Sequence, residues 1–185
     1  MPLRYSPAQQ VLHWLTVVLM FSILPVAWVV MSLKEDTPRF LFYLDIHKAL
    51  GLSILGLTVV RLGWRLVDRP PPHPRSMARW NRVLASGATL ALLVPMIVMP
   101  VSGYLWTTGH GFDVDPFGLR FPRIAFKDKA VGDAAATVHN LCQWLVYGLI
   151  GLHLAGVSYH LVVRRDGLLA RMLPPQALDG GEAAV

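Results

Sequence analysis

The sequence predicts an all-α integral membrane protein, an up-and-down four-helix bundle formed as a single domain over residues 1–185. Three observations carry that expectation. Only 15% of the residues are charged, against about 25% in soluble domains, which is too few to cover a globule of this size. Hydrophobic residues make up 54%, and the mean hydropathy is +0.47. Four apolar runs reach the roughly 20 residues that a helix needs to cross the hydrocarbon of a bilayer.

The first run, 8–32, contains His13 and is followed by no small-residue cleavage site, so it is expected to stay in the mature protein and not to leave as a signal peptide. The second, 47–67, starts on His47 and ends among arginines. The third, 83–106, holds Pro95 and Pro100, each of which removes a backbone donor and predicts a kink. The fourth, 135–163, carries His139, His153 and His160 together with Cys142, which is read as a packing residue because one cysteine cannot form an internal disulfide. Successive helices run antiparallel, which brings both termini, including the tail 164–185, to one side.

The connections carry the charge. Pro70-Pro71-Pro72-His73-Pro74 reads as a stiff extended link, with His73 a solvated loop residue; His110, between Gly109 and Gly111, reads the same way. Trp14, Trp28, Trp64, Trp80 and Trp106 fall near helix ends, where an indole buries its ring and keeps its N–H near water, so they are expected to be interface anchors without a chemical role. The net charge is +6. Arg4, Arg61, Arg65, Arg69, Arg75, Arg79, Arg82, Arg164, Arg165 and Arg171 lie on one side. Lys34, Arg39, Lys48, Arg120, Arg123, Lys127 and Lys129 lie on the other, in loops shared with acidic residues. The Lys/Arg excess puts both termini of this multi-pass protein in the cytoplasm. Basic residues packed into one short connection suit the lipid headgroups beside a membrane loop and argue against nucleic acid as a partner.

Ionisable side chains inside membrane helices are costly and default to a functional role. Four histidines meet that description. His139 and His153 are fourteen residues apart, close to four helical turns and about 21 Å along the axis, so they share one face at two depths. His13 sits near the cytoplasmic end of the first helix and His47 at the outer end of the second. His13 is therefore level with His153, and His47 with His139. Two histidine pairs stacked across a bilayer match the axial ligands of two six-coordinate haems in a bundle core. Zinc would need further ligands beside each pair, and no cysteine or carboxylate in the helices supplies them.

Other residues complete the candidate site. Gly51 lies one turn beyond His47, and Gly148, Gly151 and Gly156 flank His153, as a flat macrocycle or ordinary small-residue packing would require. Lys48 and Arg61 could meet haem propionates at the two interfaces or simply snorkel to them. His160, two turns beyond His153, could bond a propionate, relay a proton or meet a quinone; the plainer reading is an interfacial histidine facing water.

Several stretches together resemble the bacterial cytochrome b561 family over nearly the whole chain. They are Arg4-Tyr5-Ser6-Pro7 with Leu12-His13-Trp14-Leu15, His47-Lys48-Ala49-Leu50-Gly51-Leu52 leading to Arg61-Leu62, Pro100-Val101-Ser102-Gly103-Tyr104, and the run from Arg165 to Pro174 reading RDGLLARMLP. The resemblance implies a cytochrome of the bacterial inner (plasma) membrane with two haem b groups on His13, His47, His139 and His153. It further implies exchange with a quinone pool, ubiquinone being the acceptor and superoxide a possible outer donor, as in the superoxide oxidase members. Lys48, Arg120, Arg123, Lys127 and Lys129 would then steer an anion inward. Helix three departs from the family pattern: it reads Ala85-Ser86-Gly87-Ala88-Thr89 where many members carry histidine, and His160 is followed by Leu161 where a second histidine is frequent. Two functions of different class fit: an oxidoreductase passing electrons from an outer donor to quinone, or an anchor subunit wiring a partner dehydrogenase or hydrogenase to quinone. A haem-free transport or structural protein would leave the four histidines unexplained. The segment 107–134, with Phe112, Phe117, Phe121 and Phe126, could dock a partner or cover the outer haem as a lid.

Overall fold

A computed structural model describes residues 4–73, 77–122 and 127–174. Pro74, Arg75, Arg123, Phe126 and the tail from 175 onward, all of which figured in the expectations above, lie outside the described residues. The described chain is helical, with four long helices: α1 (Pro7–Ser32), α2 (Pro38–Val67), α3 (Arg79–Gly109) and α4 (Lys129–Ser158). Each is long and apolar enough to cross a membrane.

Local chemistry sets the starts. Ser6 accepts a hydrogen bond from the Gln9 amide and Thr37 from that of Phe40, each followed by proline at the first helical position, where the missing N–H costs nothing. Asp128 caps α4 through the amides of Ala130 and Val131. The apolar runs place two starts too late. Helix α2 begins at Pro38, not near His47, and α4 at Lys129, not near 135. Arg39, Asp45, Lys129 and Asp133 interrupt the apolar pattern while leaving the helix intact. His47 thus lies about two and a half turns inside α2, nearly the same depth at which His139 lies in α4. Helix α3 likewise extends beyond 83–106 at both ends. At its other end α4 continues into a single π-helical turn, Tyr159–Arg164, before Arg165 takes a left-handed conformation at φ 47°.

Packing is uneven. Helix α1 lies along α2, α3 along α4, and α2 against α3, whereas among the described residues α4 makes only sparse contact with α1 and α2. Bridges over that open seam include the Trp28 indole donating to the Tyr147 hydroxyl at 2.8 Å. The ends of α3 and α4 remote from the termini are pinned instead: a Cβ on Gly109 would lie 2.7 Å from the Gly132 Cα, so these backbones touch through two glycines.

Both termini meet at one end of the bundle. Tyr5 donates its amide to the Arg171 carbonyl at 3.1 Å, the Trp14 indole donates to that of Met172 at 2.8 Å, and Arg171 reaches the Pro72 carbonyl at 2.8 Å. Asp68 gathers the Ser6 hydroxyl and the Trp64 indole there, and its own carbonyl accepts from Gln9. At the opposite end the connection after α3 folds back over the bundle. Its Val114, 3% exposed, is buried, Phe117 meets Phe42 edge to face, and the Tyr104 hydroxyl donates to the Pro122 carbonyl.

Candidate functional site

The structure brings His47 and His139 together, with ring centres 6.2 Å apart and planes at 73°. They line a cavity of about 160 Å³ bounded by all four helices, with Val114 of the connection after α3 also in its lining. Lys48 lines the same cavity and lies within electrostatic range of His47. Of the phenylalanines expected to form a lid, Phe112 is exposed and Phe117 packs on α2; the loop residue that reaches the cavity is an aliphatic one.

The two rings differ in their surroundings. The Nδ1 of His139 is 2.9 Å from the Met99 carbonyl and 3.3 Å from the Ser102 hydroxyl, both on α3. A carbonyl only accepts, so that Nδ1 carries the proton and Nε2 carries the lone pair. The Nδ1 of His47 is buried without a hydrogen-bond partner. Gly103 lies flat against His139: a Cβ there would come within 3.0 Å of Cε1 and 3.2 Å of Nδ1. Trp106, expected to be an interface anchor, has its ring 5.8 Å from that of His139 and lines the cavity. Met99, Ser102, Gly103 and Trp106 were missed as site residues. A backbone carbonyl leaves no trace in residue identity, while the Pro-Val-Ser-Gly-Tyr stretch was the one signal pointing to this turn.

Toward the end where the termini meet, His13 lies within electrostatic range of both His153 and Arg61. Arg61 is held there by donating to the Thr16 hydroxyl at 3.0 Å, less than one turn from His13, and Thr16 in turn donates to the Leu12 carbonyl. Gly148, Gly151 and Gly156 have open space around them, and Gly51 has only ordinary contact with Ile23. Among the four paired histidines the tight glycine contact is that of Gly103 with His139, and the four glycines picked out by spacing make none.

Three other histidines are placed differently from expectation. His160 does not face water: it is buried, with its Nδ1 2.6 Å from the Asp166 carboxylate, because the turn after α4 folds Asp166 back onto it. His110 is no free loop residue; as the cap of α3 it bonds the Trp106 carbonyl and the Asp133 carboxylate. His73 bonds Ser86 on α3 at 2.9 Å.

A bound group can be tested against this geometry. Among the described residues no three His, Cys, Asp or Glu side chains gather to hold a metal ion by themselves. Each site instead offers two imidazoles, from helices that stay apart across the sparsely packed seam. Metal–imidazole bonds of about 2 Å on opposite sides of one iron put ring centres about 6 Å apart, the separation of His47 and His139. The donor set and the apolar cavity fit a flat metal macrocycle held between the two imidazoles.

A family model described as prokaryotic cytochrome b561 matches residues 4–175. The chain is similar to cytochrome b561 homolog 2 of Escherichia coli (strain K12), at 26% identity over 181 residues covering 97% of this chain and 96% of that protein. It is also similar to cytochrome b561 homolog 1 of the same organism, at 24% identity over 183 residues, 92% of this chain and 97% of that protein.

Proposed function

The chain belongs to the prokaryotic cytochrome b561 family, a membrane cytochrome that carries electrons on haem b, and from that premise we propose that it holds two haems and oxidises an outer-side donor at the expense of the quinone pool. The observation that carries this reading is the juxtaposition of His47 and His139, 6.2 Å between ring centres, in the lining of one largely apolar cavity. A second histidine pair joins His13 of α1 to His153, about four turns beyond His139 on α4.

In this reading His47 and His139 are the axial ligands of the outer haem, His13 and His153 those of the inner one. When bound, haem b supplies reversible one-electron chemistry at each site. The chain's own residues do the rest. Two imidazoles per site would hold the group, which would leave a donor to exchange electrons without bonding to the metal. The cavity walls are largely apolar, with Val114 among them. Arg61, held by Thr16 beside His13, supplies a cation at the inner interface, and Lys48 supplies one at the outer cavity wall.

The donor in this reading is superoxide, which the family resemblance suggests and the Lys48 cation beside His47 suits, and ubiquinone is the acceptor. Two superoxide anions give up one electron each to become dioxygen, and one quinone takes both electrons and two protons to become quinol. Lys48 and Lys127 contribute to the attractive field, whereas the charge of Lys129 is offset by Asp133 at 2.6 Å. Both termini lie in the cytoplasm in this reading, supported by the arginines of the 68–82 connection.

The deciding experiment is superoxide-driven quinol formation by the purified protein in liposomes, alongside haem content. Two haems per chain and quinol formation are expected. Two haems with no quinol formation, and activity only when a copurifying dehydrogenase is present, would make the protein an anchor subunit. A colourless preparation would sink both.

A further inference from the structure

We infer that the turn Met99–Gly103 of α3 is a positioning device for His139, in which the Met99 carbonyl and Ser102 fix the tautomer and Gly103 fixes the ring plane, so that the two ligands of the outer haem are chemically unequal. The inference rests on the proposed reading of His47 and His139 as ligands of one haem.

Three contacts link the Met99 carbonyl, the Ser102 hydroxyl and one nitrogen of His139. The Met99 carbonyl has two lone pairs; one receives Nδ1–H of His139 at 2.9 Å and the other receives the Ser102 hydroxyl at 2.9 Å. The Ser102 oxygen, its proton already given to Met99, faces Nδ1 at 3.3 Å with a lone pair and acts as a second, weaker acceptor. The triangle is closed and leaves Nε2 unprotonated. An imidazole that donates from Nδ1 is a more basic ligand than one that does not, and His47 has no such partner. The outer haem is therefore held by one strengthened and one ordinary imidazole.

Gly103 supplies the clearance. Its missing Cβ leaves room for the imidazole edge, and any side chain would press on Cε1 and Nδ1 together. Ser102 is 4% exposed, so its hydroxyl has no water to turn to. Pro100, directly after Met99, has no N–H to give the preceding turn, which loosens the helix where its carbonyl bonds a side chain of α4. None of these residues would touch a donor, so they are positioning residues.

Ser102 and His139 share the Met99 carbonyl, and removing the hydroxyl leaves that acceptor entirely to His139. The 2.9 Å bond to Met99 outweighs the longer one lost, so the imidazole becomes more basic and favours ferric iron. Redox titration of the full-length protein with its haems should show Ser102→Ala lowering the outer midpoint potential while the inner one stays put. Ser102→Thr, which keeps the hydroxyl, should titrate like the wild type. Electron paramagnetic resonance of Gly103→Ala should show the ferric low-spin signal of the outer haem altered and that of the inner haem unchanged; Gly87→Ala, with open space around it, should alter neither. His139→Ala assigns the outer haem beforehand by leaving one haem per chain. If His139→Ala retained two haems, the underlying ligand assignment would fall. If it lost one, but Ser102→Ala left the outer potential unchanged or raised it and Gly103→Ala left the outer signal intact, the ligand assignment would stand and the positioning role would be overturned.

Discussion

Replacing Gly109 by alanine tests how the outer end of the bundle is held. A Cβ at that position would stand 2.7 Å from both the Cα and the amide nitrogen of Gly132 and 3.0 Å from the Asp128 carbonyl oxygen. All three are backbone atoms, so no side-chain rotation can relieve the contact. Carbon atoms rest at about 3.5–4.0 Å, and the ends of α3 and α4 must part by roughly 1 Å. Overpacking of this kind costs about 1–3 kcal/mol, or a five- to 150-fold change in an equilibrium constant, since about 1.4 kcal/mol is tenfold. Parting the helices also draws His139 away from Met99, so the loss should fall on the outer haem. The assay is thermal release of haem from the purified protein, followed in the Soret band, with haem per chain measured before heating. Gly109→Ala should release its outer haem earlier than the wild type and the inner one unchanged. Gly63→Ala on α2, where a Cβ meets nothing, should be neutral or up to about 1 kcal/mol stabilising from helix propensity. Equal stability of Gly109→Ala and wild type, with both haems retained, would refute the glycine contact as a structural clamp.

Alanine at His47 or His139 should remove one haem and alanine at His13 or His153 the other, so that pyridine haemochrome analysis gives one haem per chain in each case and none when all four are replaced. Arg61→Ala removes a charged hydrogen bond to Thr16 of about 1.5–3 kcal/mol and a cation beside His13. It should weaken retention of the inner haem roughly ten- to hundredfold while sparing the outer one, as read by haem titration. Asp166→Ala breaks the bond to His160 and the one it accepts from the Leu168 amide. Hydrogen exchange over 165–174 should then accelerate by a similar factor, with the exchange of α3 unchanged.

The four spans and the levels of the histidines could be read from the sequence because hydropathy and the 3.6-residue period are local properties. What could not be read depends on tertiary contact. The start of α2 at Pro38 was hidden because Arg39 and Asp45 break an apolar run without breaking a helix, although Thr37-Pro38 was a visible capping signal. His110 and His160 looked like solvated residues because their partners, Asp133 and Asp166, are brought to them by folding. The site around His139 was half legible. Its glycine and serine stand in a recognisable stretch, but the acceptor that matters is the backbone of Met99. The glycines near His47 and His153 were chosen by spacing alone, and spacing does not say which glycine faces a ring.

The division of labour among the helices follows from where the histidines sit. Helices α1, α2 and α4 carry the two pairs, and α3 carries none, which is why the stretch Ala85-Ser86-Gly87-Ala88-Thr89 can lack histidine without disturbing them. Helix α3 braces α4 instead, through Gly109 on Gly132 and through the Met99 turn on His139. A brace was needed because α4 must stand away from α1 and α2 to leave a gap between facing imidazoles, and a helix that stands away cannot be held by the helices it faces. At the other end the bracing is of another kind. Arg61 on Thr16, Arg171 on Pro72 and Trp14 on Met172 are side-chain hydrogen bonds around the meeting termini. Backbone contact cannot relax unless a whole helix moves, whereas side-chain hydrogen bonds near an interface can be exchanged for water. The pair His47 and His139 is thus held in a fixed frame, and the pair His13 and His153 in one that can open toward the end where the termini meet.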